Sequence, residues 1–446
     1  MIFTNMKLSE LCVEISYGYT ASATENNTGC KFLRITDIQG GYVDWNKVPF
    51  CEIESKDISK YQLIEGDIVI ARTGNSTGEN FIFQGKDNAV FASYLIRYRV
   101  NKEIANPYYI WLNLRSSNWW GFVSGAKSGS AQAGANAKVL GTFEIPIPDL
   151  QTQNKIADFF QYINNKIQLN TQINQTLEQI AQALFKSWFV DFDPVRAKVQ
   201  ALSDGLSLEQ AELAAMQAIS GKTPEELTAL SQAQPDRYAE LAETAKAFPC
   251  EMVEVDGVEM PKGWELSTIG DCYDVVMGLS PKGETYNENK QGMLFYQGRA
   301  EFGWRFPTPR LFTTDPKRIA EQNSILMSVR APVGDINIAL EKCCIGRGLA
   351  ALQHKSKSLS FGLYQIQSIK SELDLFNGEG TVFGSINQAN LKNIQIINPD
   401  EKFIQLFEKY LSSCDSKIMN NEIENNALKE IRDLLLPRLL SGEIQL

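Results

Sequence analysis

Few residues in this chain are spaced for covalent chemistry. The single histidine, His354 in Leu352-Gln-His-Lys355, would have to serve any Ser–His–Asp, Cys–His or multi-histidine metal arrangement, and no neighbouring pattern supports one. A plain surface or strand-end histidine is the expectation. Ser220-Gly-Lys-Thr223 imitates the tail of a phosphate-binding loop, but the glycine required five positions before Gly221 is Met216, and no strand leads in. Asp400-Glu-Lys402 loosely echoes acidic nuclease clusters; a helix-start role near the positive end of the helix dipole accounts for it better. No catalytic group, cofactor site or metal site is read from these residues.

Asn106-Pro-Tyr-Tyr109 approaches the Asn-Pro-Pro-Tyr/Phe signature of amino-methyltransferases but lacks the second proline, and no glycine-rich cofactor loop accompanies it. Helix initiation by Pro107 is the simpler reading. What remains is a set of loops rich in Gly, Ser, Asn, Gln, Arg and aromatics. Arg, Asn, Gln and Lys pair with base edges in the major groove, while Ser, Thr and backbone amides hold phosphates. In the first third of the chain the candidates are Tyr17 and Tyr19, Arg34, Arg72, Thr73 and Asn75, then Lys127, Ser128 and Gln132. In the last third they are Arg299, Arg305, Arg330, Arg347, Asn387 and Gln388.

These loops belong to a chain that repeats itself. Residues 136–189 and 387–440, 251 positions apart, align without a gap and agree at twelve of 54 positions, from Asn136/Asn387 and Leu140/Leu391 to Ile180/Ile431 and Leu184/Leu435. A long-period repeat implies two similar units in tandem with a pseudo-two-fold relation. The gapless part is a helix: from Gln153 to Phe189 there is no Gly or Pro. Ile156, Phe160, Ile163, Ile167, Leu177, Ala181, Leu184 and Trp188 mark the three-four spacing of a heptad seam. Asn170 and Asn174 interrupt it at mid-length, as Asn421 and Asn425 interrupt the second copy. A buried seam Asn fixes register, and antiparallel pairing brings the two Asn layers together. Ahead of each helix, residues 1–150 and 263–400 alternate short apolar runs with turn signals, as mostly β modules with one or two helices do. Leu8-Ser-Glu-Leu11 matches Leu266-Ser-Thr-Ile269, but the spacing elsewhere drifts.

The domain layout is therefore a first module at 1–150, a helix at 151–195, an acidic helical insert at 196–262, a second module at 263–400 and a second helix at 401–446. The net charge of −10 speaks against strong non-specific phosphate binding, but its distribution is uneven. Residues 1–150 carry 14 basic and 15 acidic groups, residues 263–400 carry 14 and 14, and residues 196–262 carry 6 and 12. The insert, with a capping signature at Thr223-Pro-Glu-Glu226, suggests a spacer or a subunit contact. Eight cysteines without a Cys-x-x-Cys pair, no signal peptide and no apolar stretch of spanning length point to reduced thiols in a cytoplasmic protein without a membrane segment.

The assembled pattern resembles the specificity subunit of type I restriction–modification systems. The resemblance is carried by the ends of both helices: Ile145-Pro-Ile-Pro-Asp-Leu-Gln-Thr-Gln-Asn-Lys-Ile156 with Leu184-Phe-Lys-Ser-Trp-Phe-Val-Asp-Phe-Asp-Pro194, and Ile396-Ile-Asn-Pro-Asp400 with Leu434-Leu-Leu-Pro-Arg-Leu-Leu-Ser-Gly-Glu443. Ser328-Val-Arg-Ala-Pro-Val-Gly-Asp335 matches a further phrase common in that family, and Ala71-Arg-Thr-Gly-Asn-Ser-Thr-Gly78 departs from it. The resemblance implies an α+β fold of two tandem mixed α/β target-recognition domains, separated by two long conserved helices in an antiparallel coiled coil. Each domain then reads one half of a bipartite, asymmetric site in double-stranded DNA. The helices set the spacing and dock two methyltransferase subunits, and the full complex adds two restriction subunits. Catalysis, S-adenosylmethionine and ATP would belong to those partners, leaving this chain non-catalytic and without a cofactor. Two other readings stay open, a coiled-coil adaptor for protein partners and a fused DNA methyltransferase. The DNA sequence read depends on loop geometry and DNA shape.

Overall fold

The computed structural model describes residues 3–41, 43–85, 87–128, 135–377 and 384–446. It is a mixed helix-and-sheet protein with two 40-residue helices, Leu150–Phe189 and Glu401–Leu440. The chain divides into two compact units, Met1–Thr171 with Asn421–Leu446, and Gln172–Asn420. Each unit thus holds part of both long helices.

In the first unit, Thr4–Lys7 pairs antiparallel with Glu144–Ile147 and closes the β region at its base. One sheet runs Cys12–Tyr17, Leu95–Val100, Asp67–Ala71, Asn80–Ile82. The other runs Ala23–Thr24, Phe50–Cys51, Lys31–Leu33, Ala89–Phe91, and its last pair is parallel. Asp67–Ala71 shows why the sequence reads as an unbroken apolar run. Side chains alternate between faces with period two, and here both faces are buried. Ile68 and Ile70 join the core that includes Ile156 and Phe160 of the first long helix and Leu439 of the second. Val69 and Ala71 join a separate core with Leu33, Phe81 and Phe91.

The second unit repeats this topology strand for strand. Glu265–Thr268 pairs with Gln395–Asn398. Tyr273–Met277, Leu349–His354, Ile325–Ser328 and Ile336–Ile338 form the first sheet in the corresponding order. Tyr286–Asn287, Leu311–Thr313, Met293–Tyr296 and Cys343–Ile345 form the second, again with a parallel last pair and with Ile319–Ala320 added at the edge. The buried strand is again shared: Ile325 and Met327 pack with Phe185 and Phe407 of the long helices, while Leu326 packs with Leu294 and Ile345. The drifting sequence of the modules therefore conceals one fold, because sheet order needs only burial at alternate positions and tolerates loops of any length.

Within each unit the helix segments run antiparallel. In the first, Asn164 accepts a hydrogen bond from Arg432 (3.4 Å), Lys166 pairs with Glu424 (3.2 Å), and the Asn170 amide donates to Asn425 Oδ1 (3.0 Å) and Glu424 Oε2 (2.8 Å). In the second, the Phe185 and Phe407 rings lie 5.6 Å apart. Phe185, 4% exposed, takes the buried place expected of Leu184. Asn170, Asn174, Asn421 and Asn425 are each 1% exposed, so the mid-length amides are core residues.

The insert is helical, with Asp193–Ser203, Leu208–Ser220, Pro224–Ala233 and Pro235–Ala247 followed by the hairpin Met252–Val255/Val258–Pro261. Thr223 and Glu226 cap each other reciprocally, the arrangement its sequence predicts. Ala215, Met216, Leu227, Leu241 and Ala245 give it a small core of its own. Among the described residues, no helix is long and apolar enough to cross a membrane.

Candidate functional site

Both modules bring several of their candidate residues to one backbone crossing. In the first, Gly18 N donates to Leu95 O, Tyr19 N to Phe91 O and Ala92 N to Leu33 O, at 3.2, 2.8 and 2.9 Å. The second has Gly278 N to Leu349 O, Leu279 N to Ile345 O and Gly346 N to Tyr296 O, at 2.9, 3.0 and 2.9 Å. A glycine is required at both crossings: a Cβ on Gly18 would lie 2.2 Å from Ala92 O, and one on Gly278 2.0 Å from Gly346 O. The segment after the buried strand comes up beside the crossing through Arg72 N to Tyr94 O in one module and Val329 N to Gly348 O in the other. The backbones agree and the side chains do not. Tyr17, Arg72, Ser93 and Tyr94 stand where the second module has Met277, Val329, Arg347 and Gly348.

In the first module the crossing carries an arginine held between two tyrosines. The Arg72 guanidinium carbon lies 5.2 Å from the Tyr17 ring centroid and 5.8 Å from that of Tyr94. Its Nε donates to Ser93 O at 3.1 Å, and the Tyr17 hydroxyl is fixed by accepting from Ala137 N at 3.1 Å. Tyr17 is 45% and Tyr94 57% exposed. The other arginines of this module are committed internally. Arg34 grips Asp37 through Nε (3.0 Å) and Nη2 (2.8 Å), closing the turn Ile35–Asp37. Arg99 holds the buried Asp67 through two 2.8 Å bonds, Arg97 pairs with Glu14, and Arg115 binds Gly40 O at 2.9 Å. Tyr19 is half-buried against Tyr61, with ring centroids 5.1 Å apart. Thr73 and the exposed Asn75 follow Arg72 in the loop that ends at Gly78. Lys127 and Ser128 end the helix Ser117–Ser128; their side chains, and Gln132, lie outside the described residues.

In the second module Arg330 and Arg347 are exposed at the crossing, Arg330 opposite Ser385 in a short bridge and Arg347 N bound to Ser280 Oγ at 3.3 Å. Arg299 pairs through Nε with Asp335 at 2.7 Å. Asn387 accepts from Asn390 N at 2.9 Å and caps Gln388–Lys392, as Asn136 caps Ala137–Leu140 by accepting from Val139 N at 2.9 Å. That shared cap explains the first identity of the repeat and leaves Gln388 at the first helical position.

Arg305 differs from all of these. It is 6% exposed and paired with both Glu178 of the first long helix and Asp415 of the second; Nη1 also donates to the Tyr364 hydroxyl at 3.2 Å. Burial opposes its charge, but Asp415, Tyr364 and Glu178 outweigh that and hold its pKa above the ordinary arginine value. Its terminal nitrogens are spent inside the fold, so it presents no fork to a ligand. His354 ends the strand Leu349–His354 as the spacing suggests, but it is buried, its Nδ1 2.7 Å from Ser356 Oγ. Desolvation pushes its pKa down to about 4.

Sequence reasoning missed Tyr94, Glu178, Asp415 and Tyr364. Tyr94 carries a signal in retrospect, being an exposed aromatic that immediately precedes the buried strand Leu95–Val100. The carboxylates carry none, since a charge on a heptad helix reads as a solvated face.

Comparison with known proteins bears on the family and the fold. The family model described as the type I restriction modification DNA specificity domain matches residues 3–179 and 261–430. The HindI type I restriction enzyme specificity subunit of Haemophilus influenzae is 42% identical, over 93% of this chain and 95% of its own length. The putative MjaX specificity subunit of Methanocaldococcus jannaschii is 28% identical over 98% and 93%. The solved S subunit of a type I restriction–modification system from M. genitalium shares the fold with a TM-score of 0.61 at 12% identity, over 98% of this chain and 96% of that one.

Proposed function

Because the chain belongs to the family of type I restriction–modification DNA specificity subunits, we propose that it reads a split DNA site with two recognition domains, residues 1–150 and 263–400. The crossings at Gly18 and Gly278 are the surfaces that meet the grooves. Tyr17, Arg72, Thr73, Asn75 and Tyr94 serve one half-site, with Lys127, Ser128 and Gln132 as further contacts of the same module, and Arg330, Arg347 and Gln388 serve the other. The observation that carries this reading is one backbone bearing two different sets of side chains, which is what reading two different sequences from one scaffold requires.

Residues 151–195 and 401–446 act as an antiparallel coiled-coil spacer, its register fixed by the Asn170–Asn425 layer and by Asn174 and Asn421. A 40-residue helix rises about 60 Å, and one turn more or less changes that by about 5 Å, roughly 1.5 base pairs of B-DNA. The helices also dock two methyltransferase subunits, and the complete assembly adds two restriction subunits. Methyl transfer and ATP-driven cleavage take place on those partners, which makes this chain a non-catalytic subunit. The test is methylation mapping after co-expression with its methyltransferase subunit. A split motif with a fixed gap is expected, and removal of one helical turn from both long helices should alter the gap without altering the halves. A stable complex that methylates no defined sequence would overturn the proposal.

A further inference from the structure

We propose that Arg72 reads a guanine in the first half-site, an inference that rests on the reading above and narrows it to one side chain and one base. Of the five arginines in residues 1–150, only Arg72 has neither terminal nitrogen bound among the described residues, and neither is buried. Its Nε is occupied by Ser93 O, so the guanidinium is turned with its Nη1–Nη2 edge left over. Two parallel N–H groups on that edge match the O6 and N7 acceptors of guanine in the major groove, whereas adenine offers an acceptor beside a donor. The tyrosine rings on either side supply the second requirement, rigidity. A free arginine gives up about 2 kcal/mol of rotamer freedom when it is fixed. Tyr17 and Tyr94 flank this one before DNA arrives, with Tyr17 itself tethered to Ala137 N. A phosphate can take the same fork, but a lysine also serves it as a point charge, so exchanging Arg72 for Lys separates the two.

The second module supports the assignment by contrast. Its equivalent of Arg72 is Val329, with Met277 at the place of Tyr17 and Gly348 at that of Tyr94, so it cannot build the same reader. Any base at the matching place of the other half-site must therefore be read by different side chains, such as Arg330 or Arg347.

The test is methylation mapping of the complex containing wild-type chain, Arg72→Lys or Arg72→Gln, co-expressed with its methyltransferase subunit. The expected result is that one position in one half of the wild-type motif, a G·C pair, becomes degenerate in both variants. Discrimination at that pair should fall roughly 5- to 150-fold, while the other half keeps its full sequence and shows that the complex has assembled. Arg72→Lys retains the charge and so separates base reading from phosphate binding. If Lys preserves the motif, or Gln weakens every position equally and lowers the salt dependence of binding by about one ion, Arg72 is a phosphate contact and the inference is wrong. Relaxation at an A·T pair, or no change in either variant, also overturns it. Absence of any motif with the wild-type chain would instead sink the parent reading.

Discussion

Replacing Arg305 by methionine keeps most of the side-chain volume and removes the cation between Glu178 and Asp415. Those carboxylates are 14% and 13% exposed, so water replaces little of what is lost. Breaking a buried ion pair from one side costs about 3–5 kcal/mol, because the remaining charge is left uncompensated. Two features place this case near the lower figure. Arg305 Nε is already buried without a partner, so its removal relieves one unmet donor, and Ser360 Oγ and the Tyr364 hydroxyl still donate to Asp415 and Glu178. We expect a loss of about 3 kcal/mol, a roughly 150-fold rise in opening of the Gln172–Asn420 unit. The triple variant Glu178→Gln, Arg305→Met, Asp415→Asn removes all three charges and should recover most of it, since neutral replacement of a buried charge triad is often stability-neutral. Hydrogen exchange read on peptides from 172–189 and 401–420 measures this within the unit concerned, which a global melt of a two-unit chain does not. A loss below about 1 kcal/mol in the single variant, or a triple variant no better than the single, would refute the view that Arg305 is held by its buried charges.

Three further expectations follow from the same structure. His354 carries a pKa of about 4 when folded against 6.5 when free, so the unfolded chain binds the extra proton. Stability should fall as pH drops from about 6.5 and level off below about 4, by about 3 kcal/mol in total. That acid-labile component should be absent from His354→Gln in urea titrations between pH 7 and 4. Gly18→Ala drives a Cβ to 2.2 Å from a backbone carbonyl, and a clash that only backbone movement can relieve should cost at least ~2 kcal/mol. Gly278→Ala should do the same in the other unit, each read by exchange of its own crossing strands. Asn425→Leu removes one of the two acceptors of the Asn170 amide, leaving Glu424, while Asn170 Oδ1 is already without a partner; it should cost about 1 kcal/mol, while the double change to Leu should be at least as stable as wild type by thermal melting.

The helices were legible because their signal is periodic and local. Apolar residues every three or four positions, without Gly or Pro to break them, predict a helix whatever lies around it. Asn170 and Asn425 stood out for the same reason, as polar interruptions of an otherwise apolar seam. The β modules were legible as a class but not as a topology. Strands of two to six residues leave little periodicity, and the order shared by the two modules is set by which faces are buried, a property of the folded chain. Site residues were least legible, since an arginine's type does not reveal whether its donors are free. Arg34, Arg72, Arg299 and Arg305 look alike in the sequence. One caps a turn, one stands between tyrosines, one pairs with Asp335 and one is buried between two helices, and only neighbours distant in the chain decide which. Tyr94 stands one residue before the buried strand Leu95–Val100, where an exposed aromatic is easily taken for part of the strand itself.

The way the arginines are spent bears on how such a subunit holds DNA. Four of the five in residues 1–150 have a terminal nitrogen bound to a carboxylate or a carbonyl within the fold, and the module's 14 basic groups face 15 acidic ones. Affinity for a phosphate backbone grows with the number of cations that displace counterions, and two near-neutral modules have few to offer. Discrimination obeys a different rule: a single oriented fork distinguishes one base pair from another at any net charge. The chain is therefore built for reading more than for gripping. If methyltransferase subunits supply the grip, the isolated chain should bind cognate and unrelated duplexes weakly and almost alike, and sequence preference should emerge with the partner bound. Tight, salt-resistant and selective binding by the chain alone would refute this division of labour, and it would mean that the modules gather positive potential in a way their charge count does not reveal.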